Sequence, residues 1–146
     1  MNRRSSTPRC RLACPAFVLA VLGIALTLAP VLAQYTPPRT VQEGVFTVEQ
    51  AERGTQVYKR SCADCHPMDL YRGDVMKSWE GASLFGLYDL ILNRMPQNNP
   101  GSLKRREYVE LLAYILSLNE MPAGATELPT DESALKKIVI KWRKKP

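Results

Sequence analysis

The first apolar pattern in the chain is an uninterrupted, uncharged run from Ala16 to Ala29, preceded by Arg3, Arg4, Arg9 and Arg11 and broken at Pro30. Val31, Leu32, Ala33 and Gln34 follow. A basic region, an apolar region and small side chains in that order are the marks of a secretory leader, so residues 1–33 are expected to be a signal peptide cut after Ala33. The alternative is a retained anchor, because the apolar stretch counted through Ala33 approaches bilayer length. Either way the remainder faces the exported side. Residues 34–46, with Pro37, Pro38 and Gly44, then predict an extended, mobile lead-in.

From Thr47 the pattern turns helical. Thr47 and Gln50 have capping-box spacing, and Val48, Ala51, Thr55, Tyr58 and Cys62 recur every three or four residues, predicting a helix over about 48–61. Gly54 lies on that apolar face. A glycine inside a helix costs about 1 kcal/mol against alanine, so its position points to a crossing where a second helix comes close. Residues 66–81 lack a period and contain Pro67, Gly73 and Gly81, predicting a loop with at most one helical turn. Leu84, Leu87, Tyr88 and Ile91 restore the helical period over about 82–93. After a loop rich in Pro96, Asn98, Asn99, Pro100 and Gly101, Ser102 is a good cap for the strongest helix, whose stripe of Leu103, Tyr108, Leu111, Leu112, Ile115 and Leu116 ends near Asn119. The last segment fits a short helix after Thr130 followed by an extended tail. No alternation of strand and helix is present, and the predicted class is all-α, with one domain over about 47–122 and a C-terminal extension over 123–146.

Charge changes the picture once the leader is set aside. The full chain has 20 Lys and Arg against 14 Asp and Glu, but four of the arginines lie in the leader, so the remainder is near +2. With no Arg and aromatic interleaving, that balance gives no case for a nucleic-acid partner. Cys10 and Cys14 also lie in the leader, and Cys14 precedes the apolar run, on the wrong side for a lipidated cysteine. Two cysteines remain, in one motif.

That motif, Cys62-Ala63-Asp64-Cys65-His66, carries the chemistry. Two thiols one helical turn apart can each add to a haem vinyl group, and the adjoining imidazole can bind the iron beneath, which is the signature of c-type haem attachment. A structural zinc site needs four ligands, and two Cys with one His cannot close the tetrahedron. A thioredoxin-like dithiol normally adjoins a βαβ unit, and none is predicted. His66 is the sole histidine, so two histidines of one subunit cannot both bind the iron, and methionine is the usual second ligand. Met1 lies in the leader, and Met68 is too close to His66 to reach the opposite haem face. Met76, Met95 and Met121 remain; Met95 is preferred because Pro96 restricts it to extended conformations in a stiffened loop, and Met121 is the main rival.

The stretch from Glu52 to Gly124 resembles the class I c cytochromes, in particular the monohaem cytochromes and cytochrome subunits that serve periplasmic dehydrogenases. The matching pieces are Arg53-Gly54, Tyr58, the Cys62 to His66 motif, Trp79-Glu80-Gly81, Met95-Pro96, Asn99 to Leu103, Glu107-Tyr108 and Ala113 to Leu116. The resemblance implies a small cytochrome c fold around one haem c, with Met95 as axial iron ligand, Trp79 in the haem pocket, and Gly54 crossing Tyr108 or Tyr114. It implies a periplasmic one-electron carrier, not an enzyme, between a dehydrogenase donor and an oxidase or other acceptor; a tightly bound subunit of a dehydrogenase complex and a ligand-binding haem sensor are the alternatives. A membrane partner is expected only if the leader is retained as an anchor. The basic end, with Lys136, Lys137, Lys141, Arg143, Lys144 and Lys145, goes beyond the resemblance: it is either a docking segment for an acidic surface or a tail whose Ile138, Ile140 and Trp142 pack on the domain.

Overall fold

A computed structural model describes residues 39–142. The expected leader, the first residues of the lead-in, and Arg143, Lys144 and Lys145 lie outside the described residues. Five helices and two very short strands form in chain order: β1 (Arg39–Thr40), α1 (Val48–Ser61), α2 (Asp74–Lys77), α3 (Leu84–Arg94), α4 (Arg105–Leu118), α5 (Glu132–Leu135) and β2 (Ile138–Val139). The fold is all-α apart from β1 and β2, which pair in parallel with Arg39 opposite Ile138.

The centre is the packing of α1 on α4. The Thr47 hydroxyl caps α1 by accepting from Gln50 N at 3.2 Å, but the Gln50 side chain does not complete the box. It is buried instead, accepting from Leu128 N at 2.8 Å and donating to Leu128 O at 3.1 Å, so one amide holds the C-terminal extension onto α1. The buried face of α1 is Gln50, Ala51, Gly54, Val57 and Tyr58, whereas Val48 is 54% exposed. The apolar stripe is therefore rotated from the expected one, because α4 approaches at Gly54. A Cβ on Gly54 would fall on the Glu110 carbonyl and 2.8 Å from Tyr114 Cβ. Of the two expected crossing partners, Tyr114 is the one in contact.

α4 starts two residues later than Ser102 would place it. Lys104 is the cap residue, because the Glu107 carboxylate reaches back to accept from Lys104 N at 2.8 Å. Nine consecutive residues of α4, Tyr108 to Leu116, are buried, as expected of a helix covered on all sides. The segment 66–81 holds a turn at Met68–Tyr71 as well as α2, two turns where at most one was expected.

From Arg39 on, the segment expected to be mobile is packed. Val41, Val45 and Phe46 are buried, and Gly44, in the left-handed region at φ 65°, lies against Gly124 so closely that neither could carry a side chain. Its anchor is the far end of the chain: besides the strand pair, Gln42 Nε2 donates to Lys141 O at 2.8 Å, and Gly124 N donates to Phe46 O at 2.7 Å. The tail is equally tied, with Ile140 N donating to Ala82 O at 2.9 Å and Ile140 O accepting from Gly81 N at 2.9 Å. Ile138 and Ile140 are buried and Trp142 packs on the core, so the described part of the tail takes the packed conformation of the two considered.

Gly54→Ala should destabilise the fold by about 3 kcal/mol or more, since the overpacking penalty exceeds the ~1 kcal/mol gained in helix propensity. Equilibrium denaturant unfolding measures this, and an unchanged midpoint would contradict the close crossing.

Candidate functional site

The last turn of α1 unwinds into the Cys62 to His66 motif. Cys62 N and Ala63 N both donate to Tyr58 O, at 2.9 and 3.0 Å, and His66 N then donates to Cys62 O at 2.9 Å, so the motif forms one further hydrogen-bonded turn. Cys62 is half-buried and Cys65 exposed, and they are not joined as a disulfide. Burial pushes the Cys62 thiol up from its ordinary pKa, with nearby Arg60 opposing. The His66 carbonyl accepts from the Tyr58 hydroxyl at 2.8 Å, fixing the end of the motif to α1.

This turn forms one wall of a cavity of about 1100 Å³, at the upper end of ordinary ligand pockets. Cys62, Cys65 and His66 line it together with Met95, Met76 and Trp79, and Leu87, Ile91, Leu111 and Ile115 from α3 and α4 supply its apolar floor. The residues singled out in the sequence, Cys62, Cys65, His66, Trp79 and Met95, thus share one space. Met121, the main rival to Met95, does not. It lines a separate hollow of about 240 Å³ with Phe46, Val48, Ala51 and Tyr114, and its sulfur accepts from Gln42 Nε2 at 2.9 Å. Met76 lines the large cavity from α2 and is buried in the core.

Met95 caps the C-terminal end of α3 with extended dihedrals, φ −131° and ψ 150°, as a residue before proline should. Its carbonyl accepts from the Tyr108 hydroxyl at 2.9 Å. Trp79 is half-buried, and its ring edge lies 3.5 Å from where a Cβ on Gly86 would stand. An aromatic cluster backs His66: its ring centroid is 6.0 Å from Tyr71, Tyr71 is 5.9 Å from Tyr58, and Tyr58 is 5.4 Å from Tyr114. Burial, followed by the neighbouring Cys62, Tyr58 and Tyr114, raises the Tyr71 hydroxyl above its ordinary pKa, keeping it protonated and uncharged beside the cavity.

Some of this support carries no advance signal in the sequence. Asn119, read only as the end of a helix, donates from Nδ2 to Tyr71 O at 2.7 Å and to Ile115 O at 2.8 Å, tying the cavity-lining loop to α4. Glu110 is buried behind the α1 crossing and accepts from Arg53 Nε at 2.6 Å and Arg106 Nε at 2.9 Å, while Arg53 also reaches Glu127. A charge buried against two arginines satisfies the condition for a carboxylate in that position.

The donor set fits a covalently held macrocycle. The cavity is large and apolar, it has two thiols and an imidazole on one wall and a thioether at its edge, and among the described residues no cluster of three or more His, Cys, Asp or Glu could hold a bare metal ion. Residues 49–115 match the sequence family described as cytochrome c oxidase, cbb3-type, subunit III. No curated protein and no solved structure matches the chain. The matched stretch is a c-type cytochrome domain, which carries covalently bound haem c with its iron and works by haem-based electron transfer. The family description names an oxidase subunit where the resemblance pointed to dehydrogenase partners; the haem-bearing domain is what the two share. Among the described residues no helix is long and apolar enough to cross a membrane.

Asn119→Ala removes both anchors at once. It should cost about 1 kcal/mol of stability and increase amide exchange in residues 67–73 relative to α1, as read by hydrogen exchange. Equal protection in the variant and the parent would show that the loop is held by other contacts.

Proposed function

We propose that this c-type cytochrome domain belongs to an exported one-electron carrier, in which Cys62 and Cys65 hold the haem as thioethers, His66 and Met95 take the two axial positions of the iron, and Trp79 packs in the haem pocket. The supporting observation is that one cavity is lined by both cysteines, the chain's sole histidine and Met95, while Met121 lies in a different hollow with its sulfur engaged by Gln42. Met76 also lines the cavity but sits in the core on the one-turn helix α2, whereas Met95 is half-buried in a Pro-stiffened segment whose carbonyl is fixed by Tyr108.

The bound haem supplies a single-electron couple between ferric and ferrous iron. The residues around it determine the use of that couple. With the His66 imidazole and the Met95 thioether both holding the iron, no site would be open to a substrate, and the thioether would raise the potential relative to two imidazoles. Leu87, Ile91, Leu111 and Ile115 keep water from the buried side, and the Tyr58 hydroxyl on the His66 carbonyl orients the motif. Electrons would then pass between a dehydrogenase on the exported side and a terminal acceptor. The leader-like residues 1–33 support the periplasm or an equivalent compartment as its location.

A second reading, a cytochrome subunit fixed in a larger oxidoreductase complex, is favoured by the matched family, whose description is that of an oxidase subunit. Co-purification with a catalytic subunit at high salt separates a fixed subunit from a free carrier.

The test is optical spectroscopy of protein exported with haem-ligation machinery. The parent should show a c-type spectrum that persists after denaturation, a long-wavelength sulfur–iron band when oxidised, and no binding of carbon monoxide when reduced. Met95→Ala should lose the band and bind carbon monoxide, and Cys62→Ala with Cys65→Ala should lose covalent haem altogether. Persistence of the band in Met95→Ala would transfer the ligand role to Met76 or Met121.

A further inference from the structure

We infer that Tyr108 is a positioning residue for the axial thioether: its buried hydroxyl holds the Met95 backbone and thereby sets how firmly the Met95 sulfur stays on the iron. The inference rests on Met95 being the ligand, as proposed above, and adds a residue that neither contacts the motif nor appears among the cavity-lining side chains.

Met95 opens a ten-residue connection between α3 and α4. Within that loop Asn99 N donates to Pro96 O at 2.9 Å and Ser102 N to Asn99 O at 3.3 Å, so its tip is closed on itself. Its attachment to the rest of the domain is different. Among the described residues, the Tyr108 hydroxyl is the one side-chain group that hydrogen-bonds residues 95–103: it donates to Met95 O at 2.9 Å and lies 3.5 Å from Leu103 N, at the two ends of the loop. Tyr108 is 1% exposed and its ring meets Tyr88 edge to face at 6.3 Å, so the hydroxyl cannot swing away without disturbing the core.

The opposite ligand is held in the same manner. The Tyr58 hydroxyl donates to His66 O at 2.8 Å, so the carbonyls of the two ligand residues are fixed by tyrosines from α1 and α4, the two helices that cross at Gly54. The motif also has its helical turn to hold it; Met95 N in turn donates to Ile91 O at 2.9 Å, and the Tyr108 hydroxyl is the side-chain group that holds the Met95 carbonyl. A thioether is a weak ligand, and its off-rate from iron depends on how much freedom its backbone has. Removing the hydroxyl leaves the Met95 carbonyl without its buried donor and lets the loop sample positions in which the sulfur is off the iron.

An added imidazole competes with the thioether for ferric iron, so its apparent affinity reports the fraction of molecules with the sulfur detached. Imidazole is titrated into the oxidised haem-loaded protein, following the sulfur–iron band, in the parent, Tyr108→Phe, Tyr88→Phe and Met95→Ala. Tyr108→Phe keeps the ring and its contact to Tyr88, and it should bind imidazole roughly two- to tenfold more tightly than the parent, the range set by one net hydrogen bond. Tyr88→Phe removes a buried hydroxyl that makes no hydrogen bond to residues 95–103 and should leave imidazole affinity unchanged. A Tyr108→Phe protein with a lower denaturant midpoint but the parent's imidazole affinity would overturn the inference, making the hydroxyl structural only. A band that persists in Met95→Ala would instead overturn the ligand assignment on which it rests.

Discussion

The close approach of α1 and α4 at Gly54 is the contact on which the rest of the molecule depends. No side chain fits between the Gly54 backbone and the Glu110 carbonyl, so the two helices meet backbone to backbone, with Tyr114 alongside. That approach places Tyr58 one turn further along α1 and Tyr108 near the start of α4, and these two hydroxyls bind the carbonyls of His66 and Met95. It also seats Glu110 where Arg53 and Arg106 can both donate to it, so the charge sits in a satisfied pocket beside the crossing. His66 and Met95, which line one cavity, are therefore both tied to one helix pair, and a change in the separation of α1 and α4 would move both.

The cavity itself accounts for the loosest parts of the chain. Residues 66–81 and 95–104 supply much of its lining and hold only short helical turns, as a cavity proposed to be filled by a large apolar ligand allows. Covalent attachment suits such an arrangement: the ligand becomes part of the core, and burial of apolar surface against it contributes to folding as a buried side chain would. The anchors from outside, Asn119 to Tyr71 and Tyr108 to Met95, are single hydrogen bonds at points where the loops leave the helices.

The main helices were legible in the sequence because their apolar stripes run for three turns or more, and Gly54 was legible because a mid-helix glycine has a cost that only a close contact offsets. The proposed attachment residues, Cys62, Cys65 and His66, stood out as a motif whose spacing serves one chemistry, and Met95 was preferred among the methionines because of Pro96; what the structure adds is that all four line one cavity. What escaped was long-range. Gln50 looks like half of a capping box, yet its amide serves Leu128, 78 residues away. Val41, Val45 and Phe46 are too few and too irregular to signal burial, and they are buried because the C-terminal extension returns to pair with Arg39 and Thr40. Asn119 and Tyr108 have ordinary helical roles when read locally, and their bonds to Tyr71 and Met95 depend on where the loops return.

The central claim, that the haem iron is held between His66 and Met95, is tested most directly without mutation of the site. In the reduced, haem-loaded protein labelled with carbon-13 at the methionine methyl groups, the proton NMR signal of a methyl bound over the haem face is carried far upfield by the ring current. Sequence-specific assignment should place that one shifted methyl at Met95, with Met76 and Met121 at ordinary positions. A shifted methyl assigned to Met76 or Met121, or no shifted methyl at all, would contradict the account.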